Sequence, residues 1–197
     1  MYRLRAFWFA TIIAALAATY VAASAAVSAP AQITRSADLA NSRVSLTVSR
    51  LLFSRVHGTI AITSASIVTP AATEVPRKVE VTLDAASTTS GDPQRDADLR
   101  SGKFFDAAHY PTITFTSAQI VGTDPAKFTI AGSLTIKGIS RPIAFDTRVA
   151  GTSTDSGGKQ HVRYAAVGSF RRSAYGITYA RGIVGDNVVL NVVIDAV

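Results

Sequence analysis

Three histidines, His57, His109 and His161, are the side chains best suited to acid–base work near neutrality, and none has a partner at a useful spacing. No two stand at i and i+4, and none has an acidic residue at metal-ligand distance along the chain. They read as exposed or half-buried residues on separate strands or loops. Asp92, Asp96 and Asp98 form a loose acidic cluster, but the spacing is not that of a calcium loop, and Arg95 and Arg100 would repel the ion. Helix capping and surface ion pairs are the expected roles of these aspartates. A G-x-S-x-G elbow and a glycine-rich phosphate loop are both missing. No cysteine occurs in the 197 residues, which excludes disulfides, thiolate catalysis and cysteine-bound zinc. The expectation is a protein that is not an enzyme, with no metal and no cofactor.

The elements that would position any site are strands. Val44, Leu46 and Val48 alternate with Arg43, Ser45, Thr47 and Ser49, and Val79, Val81 and Leu83 alternate with Lys78, Glu80, Thr82 and Asp84. Ile113 and Phe115 stand between threonines, and Phe128, Ile130, Gly132, Leu134 and Ile136 alternate with smaller or polar residues. A period of two marks strands with one face buried and the other in water. Similar runs near 43–49, 56–68, 77–85, 112–121, 127–137, 142–150, 160–170 and 187–196 predict eight strands. The spacing suits an all-β antiparallel meander closed into a barrel without open edges, and a two-sheet sandwich stays open on pattern alone. One segment departs from the pattern. Residues 92–100 read as a short helix with Asp92 as N-cap and Pro93 at its first position. The adjacent pair Phe104 and Phe105 follows in the connection and is expected to cover a mouth or seam of the barrel.

The first residues have a different character. Arg3 and Arg5 precede a run without charge that lasts until Arg35, and Ala23-Ser24-Ala25 has the form of a cleavage site. Charge, apolar stretch and small residues in that order predict a secretory signal peptide over 1–25. The apolar run is also long enough to cross a bilayer, so an uncleaved anchor helix is the alternative. Residues 26–37 then form an N-terminal extension and 38–197 the folded domain. Losing Arg3 and Arg5 lowers the formal charge from +7 to +5. That balance favours transient contact with an anionic membrane surface. Nucleic acid is not expected as a partner, because the chain reads as exported and its basic residues are scattered.

The run Arg95-Asp-Ala-Asp-Leu-Arg-Ser-Gly-Lys-Phe-Phe-Asp-Ala-Ala-His-Tyr-Pro-Thr-Ile-Thr-Phe115 resembles the signature of the YceI-like family of bacterial periplasmic lipid-binding proteins. Asn41 to Leu46, Val79 to Ser87, Gly132 to Pro142, Arg172 to Ile177 and Val184 to Asp186 agree with it in order. The resemblance covers about residues 38–197. It implies an eight-stranded, lipocalin-like antiparallel barrel with one or two short helices, a periplasmic location and a polyisoprenoid or similar lipid in an apolar channel. Two positions depart from the family pattern: Asp98 stands where histidine is common, and Ala174 where an acidic residue is common.

On that basis Val81, Ile113, Phe115, Leu134, Ile136, Phe145, Tyr164 and Leu190 are candidate ligand-binding residues facing inward, with Phe104, Phe105 and Tyr175 at the mouth. Arg95, Lys137 and Arg172 are candidates to meet a phosphate head group. From alternation alone the inward set reads as a packed core, and only the resemblance makes it a channel wall. Three classes of function stand against one another: a lipid carrier, a packed structural or stress-protective envelope protein, and an enzyme on an isoprenoid or quinone. A homodimer is left open.

Overall fold

Alternation of apolar and polar residues builds one continuous antiparallel sheet. A computed structural model describes residues 31–51 and 54–197, so the expected signal peptide at 1–25 lies outside the described residues. The strands are β1 (Gln32–Ser36), β2 (Arg43–Arg50), β3 (Ser54–Ile60), β4 (Ile62–Pro70), β5 (Lys78–Asp84), β6 (Thr112–Asp124), β7 (Lys127–Ile136), β8 (Ile139–Thr154), β9 (Gln160–Arg171) and β10 (Val184–Ala196). They pair in the order β1-β4-β5-β6-β7-β8-β9-β10-β2-β3.

The ends of that order meet. β3 runs into β4 through the single residue Ala61. The first half of this bent strand pairs with β2 and the second with β5. β1 continues the line of β2: it pairs with β4, and its end exchanges two bonds with the chain terminus, Ser36 N–H to Val197 O at 3.0 Å and Val197 N–H to Ser36 O at 2.9 Å. Ten strands therefore occupy eight positions around a curled sheet. The predicted strand 56–68 is β3 and β4 together, and β1 is an addition. Residues 32–36, expected in an extension ahead of the domain, belong to the sheet.

Turn chemistry holds the hairpins. Lys137 and Gly138 both have positive φ, 51° and 72°, which gives the twist that a two-residue hairpin between β7 and β8 needs. Helix α1 (Pro93–Arg100) is capped as expected, with the Asp92 carboxylate accepting from the N–H groups of Gln94 and Arg95. Buried Asp96 accepts from Thr89 Oγ1 and from the Ser90 N–H and hydroxyl, which ties the helix to the preceding segment. Asp98 pairs with Lys103 at 2.7 Å.

The interior is built in rings of paired residues. Val44, Val192, Ala166 and Thr147 lie in register across β2, β10, β9 and β8. Leu190, Gly168, Phe145 and Ile130 form the next ring across β10, β9, β8 and β7. Glycine makes room here: a Cβ on Gly168 would lie 2.7 Å from the Phe145 ring, and one on Gly132 would lie 2.8 Å from the Phe115 ring. Those two rings meet edge to face with centroids 5.2 Å apart.

Candidate functional site

Inside the sheet is a cavity of about 710 Å³ of empty space, counting its open part, of which about 70 Å³ takes the centre of a water molecule. Most of that space is thus too confined for the centre of a water molecule. Its wall comes from every long strand: Val81 and Leu83, Ile113 and Phe115, Ile130 and Leu134, Phe145 and Thr147, Tyr164 and Ala166, Leu190 and Val192. No polar atom faces the space. Thr147 turns its hydroxyl to the Phe145 carbonyl at 3.1 Å, and Tyr164 donates to the Glu74 carbonyl at 2.8 Å. An apolar space of this kind stays dry and gains by taking up hydrocarbon.

The connection 71–77 lies against one end of the cavity, where Pro76 forms part of the wall. A buried polar group backs it. Arg35 Nη1 donates to Thr69 Oγ1 at 2.6 Å and lies 3.4 Å from Glu74 Oε2. Burial, and next the nearby Glu74 charge, push the Tyr164 phenol far above its ordinary value, so it remains a neutral donor. Arg35, Thr69 and Glu74 were not legible as a group. The one signal is an arginine on the same face as Ile33 in a short strand.

On the other side of the interior lies a second, wetter cleft, with about 380 Å³ open to water-sized bodies. Leu46, Val48, Leu99, Phe104, Tyr179 and Ile183 supply apolar wall, and His57, Gln94, Arg95 and Asp98 supply polar groups. The cavity and the cleft share no lining residue. Leu46 and Leu190 are directly paired on β2 and β10; the first lines the cleft and the second the cavity, so the partition falls between them.

Of the residues singled out in the sequence, Val81, Ile113, Phe115, Leu134, Phe145, Tyr164 and Leu190 line this one cavity. Ile136 is buried but is not part of its wall. Tyr175 is not at a mouth: it is buried, with its ring edge-on to Phe170 at 5.3 Å. Phe105 is likewise core, whereas Phe104 lines the outer cleft and meets Tyr179 edge to face at 5.7 Å. The adjacent phenylalanines thus have different jobs. Phe105→Ala is expected to cost about 3–5 kcal/mol in a urea melt, the typical penalty for a buried ring. Phe104→Ala is expected to cost clearly less in the same melt, because its ring is only partly buried. Equal destabilisation by both would contradict the division.

The basic candidates also separate. Arg95 borders the cleft and is held by Ser90 Oγ at 2.9 Å and Asp92 at 3.3 Å. Lys137 donates to the Gly102 carbonyl at 3.2 Å and lines neither space. Arg172 is buried and donates to four backbone carbonyls, those of Gly185, Ile177, Tyr179 and Val184. Its donors are committed to the chain, which corrects the expectation that it meets a ligand head.

A separate group of charges sits at the hairpin between β8 and β9. His161 Nδ1 lies 2.8 Å from Asp195 Oδ1, and its Nε2 lies 3.5 Å from Asp155 Oδ2. Arg163 meets the other Asp195 oxygen at 3.0 Å. The Asp195 hydrogen bond raises the histidine above its ordinary 6.5 against the opposing effect of burial. A raised folded-state pKa adds stability that is fully present below 6.5 and is lost as pH rises through the folded value. The melting temperature is therefore expected to fall from mildly acidic to mildly alkaline pH, and His161→Gln to flatten that slope. A wild-type curve already flat over this window would contradict it. Among the described residues no group of three histidine, cysteine or acidic side chains is placed to hold a metal ion.

Comparison with known proteins gives a consistent picture. The model of a family described as YceI-like domain matches residues 18–196. A UPF0312 protein of Pectobacterium atrosepticum is 30% identical over 120 residues, 61% of this chain and 62% of that protein, so the match spans less than two thirds of the relative. The crystal structure of Burkholderia cenocepacia BcnA superposes with a TM-score of 0.72 at 25% identity, covering 82% of this chain and 99% of that one. A polyisoprenoid binding domain from Saccharophagus degradans superposes with a TM-score of 0.58 over 85% of this chain and 98% of its own, and at 16% identity it shows the fold alone.

Proposed function

The chain belongs to the YceI-like family, and from that premise we propose that it is an exported, non-catalytic carrier that holds a long apolar lipid inside its barrel. The observation that carries the reading is the cavity itself: walled by side chains from every long strand, and without an inward polar atom. Each methylene moved from water into such a space contributes about 0.8 kcal/mol, so a long hydrocarbon is held without specific polar contacts. A polyisoprenoid is the class favoured, because the run from Arg95 to Phe115 resembles the signature of a lipid-binding family whose members hold such chains. The periplasm is the location that the charge, apolar run and Ala23-Ser24-Ala25 order supports. Protein from a secreting host is expected to begin near Ala26 by N-terminal sequencing. An intact Met1 in the membrane fraction would instead mean an anchored protein.

Lipid extraction and mass spectrometry of the natively purified protein test the central claim. A chain of defined mass in stoichiometric amount supports a carrier. One observation favours a second reading, a packed structural barrel: the space open to water-sized bodies is only about 70 Å³. Purified protein that contains no lipid and takes none up from a prenyl chain supplied in detergent would favour that alternative.

A further inference from the structure

Large apolar side chains at the rim of the outer cleft stand in the open. Leu51 is 60% exposed, Ile183 50% and Tyr179 46%. They are neighbours: the Leu51 N–H donates to the Ile183 carbonyl at 2.7 Å, and Tyr179 and Ile183 line the same cleft. The turn that presents Ile183 is held up by two residues with positive φ, Ala180 at 56° and Gly182 at 83°. Exposed Arg50 adjoins Leu51, and exposed Arg181 shares a shallow depression with Leu51 and Ile183. Among the described residues neither arginine is in an ion pair. The acids nearby are occupied. Asp98 pairs with Lys103, Asp92 with Arg95, and both Asp186 oxygens accept from Ser173. Other exposed apolar residues, such as Val121 and Val167, stand on β6 and β9, outside this cleft.

A cluster of leucine, isoleucine and tyrosine flanked by unpaired arginines is the composition that enters the head-group layer of an acidic membrane. The free cations match the phosphates of such a layer, and the apolar side chains beside them match its acyl boundary. We propose that this rim is a docking surface for an anionic lipid bilayer, with Leu51, Tyr179 and Ile183 entering the head-group layer and Arg50 and Arg181 meeting the lipid phosphates. The surface extends the lipid-carrier reading, since a carrier must meet the membrane that supplies its cargo, but its geometry stands without any cargo.

Co-sedimentation of the exported, lipid-stripped protein with phosphatidylcholine vesicles, with and without phosphatidylglycerol, tests it. Binding is expected only with phosphatidylglycerol, and high salt should release it. Leu51→Glu with Ile183→Glu, and separately Arg50→Gln with Arg181→Gln, should each weaken it roughly tenfold or more. Val121→Glu and Val167→Glu should leave it unchanged. No binding by the wild type overturns the proposal, as does an equal loss in the controls or none in the rim variants. Thermal melts check folding, and should the glutamate pair melt early, the glutamine pair decides. Lipid content measured on the same samples separates the two readings, because a protein that docks yet never contains lipid retains the surface and loses the carrier function.

Discussion

Arg172→Ala is expected to destabilise the fold by about 3–5 kcal/mol, because four backbone carbonyls lose their donor and each one left unsatisfied costs about 1–3 kcal/mol. Arg172 is 4% exposed, and its guanidinium reaches the carbonyls of Tyr179 at 2.7 Å, Gly185 and Val184 at 2.9 Å and Ile177 at 3.1 Å. These carbonyls belong to the connection between β9 and β10 and to the first two residues of β10, which the planar fork holds from one point. Alanine leaves them without donors and opens a void beneath the loop. Burial lowers the arginine's pKa, yet guanidinium remains charged at any pH the protein meets. Lysine at this position carries the charge but not the fork, so Arg172→Lys should fall between wild type and alanine. For a domain of this size the alanine variant should melt roughly 6–20 °C lower. Hydrogen exchange should show the loss concentrated in residues 176–184. A melt within a degree of wild type would mean that water replaces the guanidinium at no cost.

Leu134→Trp is expected to abolish most lipid uptake while leaving the lipid-free melt nearly unchanged. Leu134 is 3% exposed, and its side chain lines the cavity opposite Phe115 on the neighbouring strand. An indole directed inward takes up the space that the chain of a lipid would need. In an open cavity the added ring fills the space and the neighbours keep their rotamers. If the barrel is packed, the same ring forces its neighbours aside and costs about 1–3 kcal/mol. Lipid content by mass spectrometry and a thermal melt on one sample read both effects. A sharp drop in melting temperature with unchanged lipid would place the ligand elsewhere.

Alternation made the long strands and their inward faces legible, because a buried face needs apolar residues at every second position. Asp92 and Pro93 gave away the helix start for an equally local reason. Leu134 and Ile136 show where such reasoning stops. They share a strand and a face, yet one lines the cavity and the other packs in the core. The difference depends on what lies across the barrel, which no period along one strand encodes. The role of Arg172 was hidden similarly, since its partners are backbone carbonyls that any sequence supplies. β1 escaped because Gln32-Ile-Thr-Arg-Ser36 has a single large apolar residue and turns an arginine inward. The break at Ala61 lay inside one uninterrupted apolar-polar run, so β3 and β4 read as one strand.

The position of β10 between β9 and β2 has a consequence for the order of events in time. Ala37 bridges Ala196, and Val44 pairs with Val192, so the sheet joins segments almost a whole chain apart. As the polypeptide emerges, β2 through β9 can pair with their neighbours in sequence, but β2 and β9 keep raw edges until the last strand arrives. Such long-range closure makes for slow folding, and open edges invite pairing with other chains. A chain released without its final strand would not be a smaller barrel but an aggregation-prone one. The organism would therefore be expected to keep this protein unfolded, or escorted, until β10 has emerged.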